Sequence, residues 1–115
     1  MGGDILRLSM ETIGENLIIK LEGELDHHSS EEIRRKIDSE YYNKNLKNLV
    51  LDLDGLKFMD SSGIGLIMGR YKNCKEQNGS ISIVNINPKI GRIVEMSGLK
   101  EIVPIYTTIE EAIKA

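Results

Sequence analysis

The residue types able to do chemistry gather in one stretch, Phe58-Met59-Asp60-Ser61-Ser62-Gly63-Ile64-Gly65-Leu66-Ile67-Met68-Gly69-Arg70-Tyr71-Lys72. It holds two adjacent hydroxyls, an acid before them and three glycines after. Three chemistries suit that set: a serine nucleophile, a phosphate cradle, or a hydroxyl that accepts a modification. The nucleophile is the poorest fit. A nucleophile elbow needs glycine two residues before the serine, and here Met59 and Asp60 hold those places. A base is also needed, and the only histidines are the neighbours His27 and His28. The cradle fits little better. Gly63, Gly65 and Gly69 lie inside the helical spacing rather than ahead of it. No Lys-Ser/Thr pair follows, and the next apolar run ends in Asn85–Asn87 without an acid for a ribose.

A helix start explains the serines more simply. Helix N-termini expose unpaired N–H groups and partial positive charge, so acids and hydroxyls are favoured there. Asp60 or Ser61 is the expected N-cap, which sets the Ser61 hydroxyl near solvent. A phosphate on it would carry about −1.5 to −2 charges. The helix end would favour that charge and Asp60 would oppose it, leaving the fold intact. From these residues alone, a plain capping cluster and a modification site both stay open. In the helix that follows, Ile64, Ile67, Met68, Tyr71 and Cys74 recur at three- and four-residue spacing and are the expected core stripe. Gly65 and Gly69 then flank the core, and Leu66 lies away from it. Each interior glycine costs about 0.5–1 kcal/mol relative to alanine. The pair therefore signals close approach, by a neighbouring helix or by a partner chain.

These residues need elements to place them. Ile5, Leu6, Leu8 and Met10 read as a first strand, Gly14-Glu15-Asn16 as a turn, and Leu17–Glu22 as a second, antiparallel strand. Gly23-Glu24-Leu25-Asp26-His27-His28 reads as a loop. Ser29 and Glu32 have capping-box spacing for a helix with Ile33, Ile37 and Tyr41 on one stripe, ending near Asn43. Leu49–Leu53 is an almost continuously apolar strand, as expected when both faces are covered. The serine helix runs from there to Asn78-Gly79. Ser80–Ile86 is the next strand, and Asn87-Pro88 starts a helix carrying Ile90, Ile93, Val94 and Met96. Ile102–Tyr106, interrupted by Pro104, suits an edge strand, and Thr108-x-x-Glu111 caps a last helix. The spacing thus predicts an α/β domain over 1–115: a mixed, mostly parallel sheet of about five strands with about four helices. Gly23–His28 and Lys57–Gly63 both fall at carboxyl ends of strands, where functional loops gather. Phe58 and Met59 are expected to be buried at the turn.

Composition narrows the classes further. The chain has 115 residues, 40% hydrophobic and 29% charged, with a formal net charge of −3. A mildly acidic balance argues against nucleic-acid binding. Nothing approaches an 18-residue apolar span, and Met1-Gly2-Gly3-Asp4 carries neither a signal-peptide pattern nor a good myristoylation site. One cysteine, Cys74, excludes an internal disulfide and is expected in the core. A soluble cytoplasmic domain follows, with no expected metal or cofactor.

Three segments together carry a resemblance: Gly23-Glu24-Leu25-Asp26-His27-His28, then Phe58–Gly65 with Gly69-Arg70-Tyr71-Lys72, then Met96-Ser97-Gly98-Leu99. In order and spacing they resemble the anti-sigma factor antagonists of spore-forming bacteria, single STAS domains, over roughly residues 5–113. The resemblance implies a partner switch. Ser61, directly after the aspartate, would be phosphorylated by an anti-sigma factor that is also an ATP-dependent serine kinase. A metal-dependent serine phosphatase would reverse it. The chain would be substrate rather than enzyme, with ATP held by the kinase and the free chain a monomer. Gly23, Asp26 and His27 match the loop at the partner surface, and Asp60 matches the family's aspartate beside the modified serine. Ser62, Gly63, Gly65, Leu66 and Gly69 are expected to complete the docking surface. The other reading is a constitutive STAS interaction module in a stress-signalling complex.

Overall fold

The computed structural model describes residues 5–115; the N-terminal run 1–4, read above for targeting signals, lies outside them. Strands β1 (Arg7–Ile13) and β2 (Asn16–Leu25) form the antiparallel hairpin, and Gly14 turns the chain with φ +60°. Then come α1 (His27–Asn43), β3 (Asn48–Asp52), β4 (Leu56–Met59), α2 (Ser61–Glu76), β5 (Ile81–Val84), α3 (Pro88–Ser97), β6 (Ile105–Tyr106) and α4 (Ile109–Lys114). The sheet runs β1-β2-β3-β5-β6, with β6 at the edge and every pair after the hairpin parallel. The α/β class and the four helices are as expected.

A sixth strand was not. The ten residues of β2 serve two partners: Asn16–Lys20 pair with β3, and Gly23–Leu25 pair with β4. Between them the register shifts at Gly23, which takes φ +104°. A β-carbon there would lie 2.5 Å from the Ile5 carbonyl oxygen, so only glycine fits the bend. Four residues, two of them exposed, give β4 too little periodicity to read as a strand. Phe58 is one of the exposed pair, whereas Met59 is buried as expected.

The stretch Gly23–His28 is accordingly no loop. Leu25 ends β2, and α1 starts at His27, earlier than the Ser29 cap predicted. Asp26 is the cap: its carboxylate accepts from the backbone N–H groups of His28 (3.0 Å) and Ser29 (3.1 Å). The Ser29 hydroxyl accepts in return from the Asp26 N–H at 3.1 Å, closing a capping box one turn upstream of the expected one. At the far end of α2, Asn78 takes the left-handed conformation, at φ +60°.

The main core lies between the sheet and α1, α2 and α3, with Leu17, Ile19, Leu21, Leu25, Ile37, Tyr41, Leu49, Leu51, Leu53, Ile67 and Ile83 essentially inaccessible. The opposite face is covered by α4, over Ile18, Val50 and Val84, with Tyr106 packed beside it. Burial pushes the Tyr41 hydroxyl and the Cys74 thiol to higher pKa, so both stay neutral inside the core. No helix among the described residues is long and apolar enough to cross a membrane.

Candidate functional site

Helices α1 and α2 open side by side, and one carboxylate joins them. Asp60 is extended (φ −104°, ψ −167°) and caps α2: its Oδ1 accepts from the N–H of Ser62 at 2.8 Å and of Gly63 at 3.4 Å. Its Oδ2 accepts from the N–H of His27, the first residue of α1, at 3.3 Å. The Asp60 N–H in turn donates to the Leu25 carbonyl at 3.3 Å, fastening the end of β4 to the end of β2. The two segments expected to share a surface therefore do meet. Neither helix has an acidic side chain in its first turn, so the partial positive charge of both ends is met by the cap aspartates. The Asp26 carboxyl is held below its ordinary value, chiefly by the Ser29 N–H, against a smaller opposing effect of burial.

Ser61 occupies the first position of α2 with an exposed side chain, and its hydroxyl has no hydrogen-bond partner among the described residues. Ser62 is half-buried. A stripe runs down the helix from Ser61 through exposed Gly65 and Met68 to Lys72, with Gly69 half-exposed alongside. A β-carbon added at Gly65 or Gly69 would meet nothing within 4 Å. The two glycines therefore make no close helix–helix contact within this chain; they leave the backbone bare to the outside.

Three of the residues expected on the docking surface are not on it. Gly23 is buried at the β2 bend. Gly63 is buried where α2 meets the sheet: a β-carbon there would sit 2.9 Å from the Met59 sulfur and 3.1 Å from Leu25. Leu66 is 5% exposed, while Met68, assigned above to the core, is 41% exposed. The buried stripe of α2 is Gly63, Leu66, Ile67, Arg70 and Cys74, turned from the predicted one. Arg70 is the cause. Its side chain is buried, with Nε 2.9 Å from Asp38 Oδ1 on α1, although off-line for a hydrogen bond, and Nη1 donating to the Leu66 carbonyl at 3.2 Å. Asn73 donates to the same Asp38 oxygen at 3.3 Å, and Arg34 lies 3.8 Å from the other. This polar clamp between α1 and α2 has no counterpart in the sequence reading. A hydrophobic-periodicity argument counts a charge as outward-facing; Arg70 spaced four residues after Leu66 was the available signal.

The arrangement offers an accessible hydroxyl but little means to activate it. Both Asp60 oxygens are occupied by backbone N–H groups, so the carboxylate positions helices rather than extracting a proton. Asp26, His27, Asp60, Ser61, Ser62, Gly65 and Gly69 reach or border one surface; Gly23, Gly63 and Leu66 support it from beneath.

Comparison with known proteins gives the chain a family and a fold. Residues 7–112 match the STAS domain. The chain is 43% identical over 101 residues to the anti-sigma F factor antagonist of Paenibacillus polymyxa, covering 88% of this chain and 86% of that one. Its fold is similar to that of the anti-sigma factor antagonist SpoIIAA in unphosphorylated form (TM-score 0.82, 33% identity, 94% of each chain). It is also similar to the Bacillus cell fate determinant SpoIIAA in phosphorylated form (TM-score 0.73, 34% identity, 94% of this chain and 97% of that one). With a surface hydroxyl at the start of α2 and a match spanning nearly the whole chain, this protein belongs to the STAS domain family.

Proposed function

We propose that this chain is an anti-sigma factor antagonist that works by partner switching. Its unphosphorylated form binds a cytoplasmic anti-sigma factor and so releases a sigma factor; phosphorylation of Ser61 turns that binding off. The anti-sigma factor is itself the serine kinase and holds the ATP, and a metal-dependent serine phosphatase restores the free hydroxyl. The observation that carries this reading is Ser61 itself, an exposed hydroxyl without a hydrogen-bond partner among the described residues, heading the bare stripe of α2. Relatives that are anti-sigma factor antagonists, one of them solved with and without its phosphate, support it.

The transfer needs little from this chain. The Ser61 Oγ forms a bond to the γ-phosphorus, the bond to the departing ADP oxygen breaks, and the hydroxyl proton passes to a base. That base and the Mg²⁺ belong to the kinase, because Asp60 is committed to capping. The docking surface comprises Ser61, Ser62, Gly65, Met68 and Gly69 with the Asp26–His27 start of α1, and Met68 takes the apolar role first assigned to Leu66. Phosphate prevents docking because a dianion must lose its water in the interface. The fold tolerates it, since the phosphate sits outside the core at a helix end. Binding of the anti-sigma factor by Ser61→Ala and Ser61→Asp tests the switch: the alanine variant should bind like the unmodified chain and the aspartate variant more weakly. Equal binding by both would overturn it.

A further inference from the structure

The first residues of α1 and α2 meet across one carboxylate. Ser61 and His27 hold the same place, the first residue of a helix, and the Asp60 carboxylate lies between them. It accepts from the His27 N–H at 3.3 Å through one oxygen and from the Ser62 N–H at 2.8 Å through the other. Both side chains are exposed, and the His27 ring packs edge-on against His28 at 5.8 Å. Resting on the reading that Ser61 carries the phosphate, we propose that His27 is its counter-group, so that the blocked state of the switch is itself set by pH.

The charges around the junction favour this. The elements that meet there bring Glu24 on β2, the cap residues Asp26 and Asp60, His28 and Glu31 on α1, and Lys57 on β4. Glu31 is already paired with Arg34 and both aspartates are engaged with backbone donors, so a protonated His27 is a cation at this junction that an added phosphate can draw on. Phosphoserine has its second pKa near 6 and histidine titrates near 6.5, so the two change charge in one window. Each therefore draws the other toward its ionised form: the His27 pKa rises and the phosphate pKa falls. His28, one position further round the helix, follows less. Below the raised His27 pKa the imidazolium covers part of the phosphate charge; above it the dianion stands uncovered and repels a docking partner most strongly.

The test uses the full chain with phosphoserine installed at position 61 during synthesis, its place verified by mass, beside the unmodified chain. NMR titration of the two imidazoles and of the phosphorus reads the coupling. The expected result is a His27 pKa higher by about 0.5–1 unit in the phosphorylated chain, a smaller shift at His28, and a phosphate pKa that rises in His27→Gln. An unchanged His27, a larger shift at His28, or a phosphorus titration indifferent to His27→Gln overturns the proposal. Because the phosphate is placed synthetically, failure here leaves the kinase's choice of Ser61 to be judged separately, and the reverse holds as well.

Discussion

Replacing Gly65 and Gly69 by alanine should make the protein more stable and less able to dock. In a helix interior, glycine is worse than alanine by about 0.5–1 kcal/mol, because it loses more backbone freedom on folding. Neither glycine takes a positive φ, and an added β-carbon meets nothing within 4 Å, so no clash offsets that gain. The double variant should thus gain about 1–2 kcal/mol. For a chain of this length that raises Tm by about 4–8 °C. Gly63→Ala is the internal contrast, since its β-carbon would press on Met59 and Leu25. Overpacking of that kind costs about 1–3 kcal/mol. Thermal melts followed by circular dichroism read both, and titration calorimetry with the anti-sigma factor reads docking. Two methyl groups on a face that a partner backbone approaches should weaken binding about tenfold, ~1.4 kcal/mol. A destabilised double variant would refute the open-face geometry. A stabilised one that binds normally would show that the glycines are not where the partner lies.

Further outcomes follow from the same surfaces. Leu66→Ala should cost about 2–5 kcal/mol of stability, whereas Met68→Ala should change stability little and weaken docking; denaturant melts and calorimetry separate the two. Arg70→Ala leaves Asp38 without its closest cation and empties a buried volume, so the urea midpoint should fall by about 1–3 kcal/mol equivalent. Asp26 has a lowered folded pKa, so its capping contribution is fully present above 3.8, its ordinary value, and is lost as pH falls through the folded value. Asp26→Asn keeps an acceptor and removes that titration, so the protection of its α1 amides, taken relative to their intrinsic exchange, should lose its acid-range pH dependence.

The α/β alternation was readable because β2, β3, β5 and the four helices each carry enough periodic apolar residues or a cap to declare themselves. Asp60, Asn87 and Thr108 act as caps where the local pattern placed them. The helix α1 start was misplaced because Asp26 and Ser29 are both good caps, and only the structure shows the aspartate engaging the first turn. β4 escaped because its partner is the far half of β2, beyond a bend that only the close approach of Ile5 to Gly23 explains. At the site, the placement of Asp60 and Ser61 at a helix start was legible from spacing, whereas spacing left open whether Gly65 and Gly69 face a neighbouring helix or the outside. The exchange of Leu66 and Met68 was not, since it depends on a charged residue, Arg70, filling a buried place by pairing with Asp38 on another helix. Tertiary pairing of that kind leaves no periodic trace in the chain.

The most direct test of the switch is to incubate the full chain with ATP and the cognate anti-sigma factor kinase, then map the added phosphate by mass spectrometry. One phosphate, on Ser61, with a chain that no longer binds the anti-sigma factor and melts within a few degrees of the unmodified form, is the predicted result. Phosphate on another residue, or a Ser61-phosphorylated chain that still binds at full strength, would contradict it.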